Sequence, residues 1–375
     1  MISRIYIDNF KCFTNFEYRP GALQLLLGAN GTGKTAILDV LDALRGFVVD
    51  GTGSLSAFPP GTTTAWDQRP EQKFELALQG RGGEYVYRLI IEQDRGTRRN
   101  RIGYEDLCFD GRALYQFQSG DAHLFRDNGT AGPVFPFDWS RSAISTIPER
   151  NDNTLLSWFR WRLNRILVCS PDPIRIASQS EEEQLRPDRW LHQLPSWIRH
   201  LHLESPEISQ RLTESLRQDV LDQLIGYRFL DQGEGARLLK FEFGSPASDY
   251  ARSSKSFSLG LDQLSTGQRA LVALYTMLHA AVGPDMTLCI DEPDNYVALR
   301  EIQPWLVELT DKVRDTGGQC LLISHNSEVI NYLAADCGVR SFREGGGPVR
   351  VQPFEWSDDE TLRPAEVVAR GWESP

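Results

Sequence analysis

"GANGTGKT", residues 28–35, has the spacing G-x-x-x-x-G-K-[ST] of a phosphate-binding loop. It ends the apolar run "ALQLLLGAN" and opens "KTAILDVLDALRGFV", whose apolar residues recur at helical spacing. A strand, a glycine turn and a helix in that order let backbone N–H groups and a helix N-terminus wrap an anion. Asn30, Gly31, Thr32, Gly33, Lys34 and Thr35 are therefore candidate nucleotide-binding residues. Lys34 is the candidate to reach the β- and γ-phosphates, and the Thr35 hydroxyl is a candidate Mg²⁺ ligand, with ATP as the nucleotide.

Two further stretches end apolar runs in polar groups. "MTLCIDEPDN", residues 286–295, places Asp291 and Glu292 at the end of a buried strand. A carboxylate delivered there can share Mg²⁺ with Thr35, and Glu292 beside it can orient or deprotonate an attacking water. "QCLLISHN" ends in Ser324 and His325, at the strand edge where α/β proteins bind ligands. Lys34, Glu292 and His325 are the candidate catalytic residues. "LSTGQ", residues 264–268, precedes a long apolar helix. A helix cap needs only a hydroxyl, so the added Gly267 and Gln268 beside Ser265 point to a second anion site. One copy cannot readily aim two helix N-termini from different lobes at one γ-phosphate, whereas two copies placed head-to-tail can.

These pieces, in this order, resemble an ABC-type ATPase of the SMC/RecF/OLD group. "ISRIYIDNFKCF" is similar to the opening strand of that group, "LSTGQ" to its signature, "DEPDN" to its acidic motif and "ISHN" to its switch histidine. "LVCSPDPIRI" is similar to a junction found in RecF-like proteins. The resemblance implies an α/β fold: an ABC-type P-loop NTPase with a mixed or parallel central sheet and an inserted helical lobe. It divides the chain into residues 1–165 and 285–375 for the core lobe and 166–284 for the helical lobe. It implies a homodimer closed around two ATP molecules and opened by hydrolysis. It implies a role in DNA maintenance or phage defence, alone or with a separately encoded nuclease or other effector. A regulatory ATP-binding module and a transporter motor are the alternatives. The family's Mg²⁺-sensing glutamine at the lobe junction has no assigned counterpart, and Asp172 is the candidate for its place.

The spacing narrows the choice within the group. A transporter subunit would place its signature about a hundred residues after the phosphate loop, and here Leu264 is far beyond Gly28. There are no sustained heptads, and little chain follows His325. "DEPDNYVAL" lacks a Leu-His-Pro after the acid pair, which leaves contacts of Asp294 and Asn295 across a dimer unassigned.

Composition agrees with a globular protein: 41% hydrophobic, 24% charged, with 51 acidic and 40 basic residues for a net charge of -11. That balance disfavours a broad nucleic-acid-coating surface and permits a local basic patch. No apolar run is long enough to span a bilayer and the N-terminus has no signal-peptide pattern, so a cytoplasmic location is expected. The six cysteines are scattered and read as reduced, with Cys169, Cys289 and Cys320 in apolar runs. "QDRGTRRNR" gathers Arg95, Arg98, Arg99 and Arg101, the candidate nucleic-acid contacts. "WFRWRLNR" reads as a helix with Trp158 and Trp161 in the core and Arg160, Arg162 and Arg165 in solvent. "KFELALQG" and "EYVYRLIIEQ" read as a hairpin, residues 94–140 have no clear period, and 180–225 read as helix broken at Pro187, Pro195 and Pro206.

Overall fold

The computed structural model describes residues 1–94, 96–244, 256–343, 345–356 and 362–371. The chain opens with β1 (Ile2–Asp8), β2 (Phe16–Tyr18), β3 (Leu23–Leu27) and α1 (Lys34–Val48). A short α2 (Ser54–Ala57) leads to six strands: β4 (Glu71–Gly80), β5 (Gly83–Asp94), β6 (Arg99–Phe109), β7 (Arg112–Gln118), β8 (Asp121–Phe125) and β9 (Ala131–Pro136). Then come α3 (Thr154–Asn164), β10 (Ile166–Cys169), β11 (Gln179–Ser180), α4 (Leu194–Glu204), α5 (Pro206–Asp219), β12 (Leu224–Gly233), β13 (Ala236–Phe243) and β14 (Phe257–Gly260). The last third is α6 (Thr266–Ala281), β15 (Thr287–Asp291), α7 (Leu299–Thr316), β16 (Gln319–Ile323), α8 (Ser327–Cys337), β17 (Gly338–Arg343), β18 (Val349–Pro353) and α9 (Pro364–Ala369).

Three sheets result. The strand order β10-β15-β16-β3-β17-β18 is parallel except for its last strand. The order β2-β1-β4-β5-β6-β7-β8-β9 is antiparallel throughout. A smaller sheet, β11-β13-β12 with β14 on β13, lies in the segment expected to be helical. That segment does hold α4 and α5, which begin at or beside Pro195 and Pro206 as the first turn of a helix allows. Its first strand, β10, pairs with β15 and belongs to the parallel sheet.

The parallel sheet separates two apolar cores. Leu25, Leu27, Leu288, Ile290, Cys320 and Leu322 face the core built with α6, α7 and α8. Leu26, Cys289, Leu321 and Ile323 face α1 and the antiparallel sheet. Side chains alternate across a strand, so two apolar faces require an unbroken apolar run, and that is what "LLL" (25–27), "LCI" (288–290) and "CLLI" (320–323) supply. Each fully buried leucine contributes about 2 kcal/mol. Helix α6 is buried from Ala270 to His279, and Trp305 of α7 donates its indole N–H to Leu274 O at 3.1 Å.

A buried polar seam ties the two large sheets together. The Gln319 amide donates to Ile2 O and Gly21 O, both at 3.0 Å, and its oxygen accepts from Ile2 N at 2.8 Å and Thr287 Oγ1 at 3.1 Å. Thr287 in turn accepts from Arg162 Nη2 at 2.6 Å. The expectation that Arg162 is solvated is overturned, because it is fully buried and two of its nitrogens have no protein partner. Trp161 is the residue left 45% exposed, with Arg165 stacked on it at 4.6 Å.

The unplaced stretch 94–140 contains β6 to β9. Its period is hidden because β6 turns a carboxylate inward. Glu105 is fully buried and accepts from Tyr87 Oη at 2.8 Å, Tyr115 Oη at 3.0 Å and the Ser142 hydroxyl. Burial pushes its carboxyl from the ordinary 4.5 up to about 7, and the three hydroxyls oppose the shift. A carboxyl that is weaker folded than unfolded stabilises most below its unfolded pKa, and that stability fades as pH rises through the folded one. Wild-type stability is therefore expected to fall between pH 5 and 8, by up to about 3 kcal/mol from this group. Glu105→Gln should flatten that fall in urea melts at the two pH values.

Candidate functional site

Strand β3 delivers the loop at residues 28–33, and α1 leaves it. Gly28 and Gly33 have φ of 137° and 86°. A Cβ at Gly28 would lie 2.2 Å from Ser341 O, and one at Gly33 would lie 2.8 Å from both Cys12 Sγ and the Phe13 ring. Glycine is required at both positions because β17 and the residue 9–13 segment press against the loop. Thr32 Oγ1 donates to Ala29 O at 2.8 Å, and Ser341 Oγ donates to Thr32 O at 2.6 Å. Lys34 Nζ lies folded along the loop and donates to Gly28 O at 2.7 Å and Ala29 O at 3.0 Å. Burial lowers its pKa, against the pull of Asp291 and Glu292.

The acid pair arrives from β15. The Thr35 hydroxyl donates to Asp291 Oδ2 at 2.8 Å. Burial raises the Asp291 pKa, the Thr35 bond lowers it, and Glu292 adds to the rise. Glu292 has a φ of 53°, a left-handed conformation that costs a side-chain-bearing residue about 1–2 kcal/mol. Two bonds hold it there: its N–H donates to Ile323 O, and Asn295 Nδ2 donates to its Oε2, both at 2.8 Å. Asp294 accepts from Ser324 Oγ at 2.6 Å.

Asn30, Gly31, Gly33, Lys34, Thr35, Asp291, Glu292 and His325 line one cavity of about 320 Å³. Thr32 stays behind the loop, bonded to backbone. The cavity also contains Lys11, Cys12 and Asp39, which sequence reasoning did not assign. Asp39 pairs with Lys11 and, at 2.6 Å, with Arg189 Nη1. Lys11 lies inside the quoted "NFKCF", and Asp39 is one helical turn after Thr35, so both had a positional signal. Arg189 had none. Asp172 is outside this cavity and pairs with Arg175 at 3.3 Å.

Ser265, Gly267 and Gln268 are also outside the cavity. Ser265 Oγ accepts from Gln268 N at 3.1 Å, while Gln268 Oε1 accepts from Ser265 N at 3.0 Å. This reciprocal capping box accounts for the glutamine beside the hydroxyl within one copy. At Gly267 a Cβ would lie 3.1 Å from Tyr296 O, so the cap packs against the segment that follows the acid pair. The arginines at 98–101 are partly neutralised by their own sheet: Arg99 sits opposite Asp94 and Arg101 opposite Glu92. Arg101 donates to Glu92 at 2.7 Å and lies 5.0 Å over the Trp139 ring. Arg98 ends the turn with a φ of 53°, and Arg95 lies outside the described residues. No helix among the described residues is long and apolar enough to cross a membrane.

A parallel sheet, a phosphate loop on its third-to-last strand, and an acid pair and a histidine on the next two strands define an ABC-type ATPase fold of the SMC/RecF kind. Residues 25–331 match the family described as "AAA domain, putative AbiEii toxin, Type IV TA system", and the chain belongs to that family. No curated protein matches the chain. Among solved structures it is similar to an Smc head bound to the C-winged helix domain of ScpA, at 15% identity and a TM-score of 0.55, covering 94% of this chain and 97% of that one. It is also similar to an Smc head with an extended coiled coil bound to the C-terminal domain of ScpA, derived from Pyrococcus furiosus. That match has 13% identity and a TM-score of 0.55, and covers 94% of this chain and 96% of the other.

The contact at Gly28 is with backbone, which cannot rotate away. Gly28→Ala should destabilise the fold by about 2–3 kcal/mol through strain and overpacking, read as a lower urea midpoint. The exposed Gly82→Ala, with no neighbour within 4 Å of its Cβ, should cost only its strained φ.

Proposed function

We propose that this chain binds ATP with Mg²⁺ in the 320 Å³ cavity and hydrolyses it as a dimerisation switch. The observation that carries the reading is the bond of Thr35 to Asp291, with Glu292 and His325 in the same cavity. A hydroxyl and a carboxylate side by side are the hard oxygen donors that suit Mg²⁺. The metal's contribution would be to neutralise phosphate charge. Lys34 exchanges its two carbonyl acceptors for β- and γ-phosphate oxygens. Glu292, with one oxygen tied to Asn295, keeps the other for the attacking water. His325 contacts the γ-phosphate from the adjacent strand end.

Within one copy, Ser265 and its helix N-terminus stand apart from this cavity. A second copy, turned head-to-tail, brings Ser265, Gly267 and Gln268 onto the phosphate. Closing on ATP and opening on hydrolysis makes the pair a switch. The family description names a toxin of a type IV toxin–antitoxin system, which favours a defence setting with a separately encoded partner over solitary DNA maintenance. The same description supports a second reading, a regulatory module in which ATP locks a partner complex and turnover is incidental. Capture of the neighbouring gene product that requires Lys34 and is unaffected by Glu292→Gln would favour the module.

The switch is tested with the full chain, ATP and Mg²⁺ by size-exclusion light scattering and phosphate release. Glu292→Gln should slow turnover by on the order of 10²–10³-fold and accumulate as a dimer. Adding Ser265→Arg should return it to monomer. A Glu292→Gln protein that stays monomeric at saturating ATP would refute the switch.

A further inference from the structure

Three carboxylates, Asp39, Asp291 and Glu292, and two lysines, Lys11 and Lys34, line the phosphate cavity. Asp291 is proposed above for Mg²⁺ and Glu292 for the water, whereas Asp39 has no part in that chemistry. A bare carboxylate on the wall would repel a triphosphate. Both Asp39 oxygens are in fact taken, Oδ2 by Lys11 Nζ and Oδ1 by Arg189 Nη1 at 2.6 Å. The two partners differ in kind. Lys11 is the more exposed and lines the cavity itself, so an incoming phosphate competes with Asp39 for it. Arg189 stands outside the lining, behind Asp39, and is the counter-ion that a ligand does not draw away.

Arg189 belongs to the stretch between β10 and α4, and its surroundings fix it. Its carbonyl accepts from Ser170 N at 2.7 Å, and the Trp190 carbonyl accepts from Asp172 N at 3.1 Å. Its Nε donates to Ser170 Oγ at 3.4 Å, and its guanidinium lies 5.6 Å from the Trp190 ring centroid. Leu191 is fully buried, and the Asp188 carboxylate accepts from Trp190 N at 2.9 Å and Gln193 N at 3.2 Å. From this braced loop the guanidinium reaches across to α1, where Asp39 lies one turn past Thr35. Both charges are felt at Asp291: burial is the main cause of its raised pKa, Asp39 adds to the rise and Arg189 opposes it.

We propose that Arg189 is a positioning residue for phosphate binding: it holds and cancels the Asp39 carboxylate, so that the α1 wall of the cavity does not repel the triphosphate. This rests on the nucleotide reading above and adds the residue that sets the charge of its site. Removing one member of a shielded ion pair leaves the other uncompensated, and that leftover charge outweighs the lost bond. Arg189→Ala leaves Asp39 with Lys11 alone, and so also withdraws Lys11 from phosphate. Asp39→Asn removes the repulsion at its source and needs no counter-ion. Because Arg189 acts only through Asp39, the effects of the two substitutions do not add.

The test is calorimetric titration of the full chain with ATP and with inorganic tripolyphosphate in Mg²⁺, using wild type, Arg189→Ala, Asp39→Asn, the double variant Asp39→Asn/Arg189→Ala, and Lys34→Ala. Arg189→Ala should weaken both ligands by about 10–100-fold, the size of one unpaired charge near the phosphates at an effective dielectric of about 20. Asp39→Asn should bind both no more weakly than wild type, and the double variant should recover most of the Arg189→Ala loss. A double variant as weak as Arg189→Ala overturns the proposal, since a residue that touches phosphate itself, or only supports the fold, is not rescued by removing Asp39. Asp39→Asn as weak as Arg189→Ala overturns it too, because the pair would then be needed for its bond rather than for its charge. Unchanged binding by Arg189→Ala alongside a loss in Lys34→Ala overturns the proposal and leaves the nucleotide site standing. Full ATP binding by Lys34→Ala overturns the nucleotide reading itself.

Discussion

The bond from the Thr35 hydroxyl to the Asp291 carboxylate joins residues 256 positions apart, and it depends on the register of the parallel sheet. Asp291 is level with Ile323, and Ile323 with Leu26, so the acid stands close to the level at which β3 gives way to the loop. A slip of one residue would turn every apolar side chain of a strand to the other face. Here both faces are apolar, so hydrophobicity alone does not forbid the slip. The polar ends do: Thr287 and Gln319 must meet at one end of the sheet, and the loop and carboxylate at the other. The chemistry of the cavity and the register of the core are the same constraint viewed from two ends.

Much of this was written in local pattern. The motif at 28–35 and the helical period after it define β3 and α1, since a phosphate loop has a single strand–helix context. The apolar runs before Asp291 and Ser324 mark strands buried on both faces. The antiparallel sheet was half hidden. Its first hairpin alternates, but β6 carries Glu105 inward on three hydroxyls contributed by Tyr87, Tyr115 and Ser142, and no local window contains them all. Arg162 misled for the same reason, because its acceptor, Thr287, lies 125 positions away. Of the small sheet, "LLKFEFG" reads as a strand and is the central β13, whereas β11, β12 and β14 beside it were missed. Within the cavity, residues inside motifs were readable and Arg189 was not, as it reaches Asp39 from a loop whose course only the tertiary structure determines.

The run "LSTGQ" meets one demand within a single copy, the capping of the helix that follows it. Ser265 and Gln268 satisfy each other's backbone, which stabilises the start of a helix buried along most of its length. Beside this cap lies Tyr296, more than half exposed, whose carbonyl packs against Gly267. The cap uses the side chains, so the anion contact proposed above would fall to the backbone.

At the far border of the antiparallel sheet, β9 has a neighbour on one side only among the described residues. Its sequence, "AGPVFP", includes prolines at 133 and 136, and neither can donate to a further strand. A foreign strand laid along this border would find gaps in its row of donors. Pairing with another sheet through β9 is thereby discouraged.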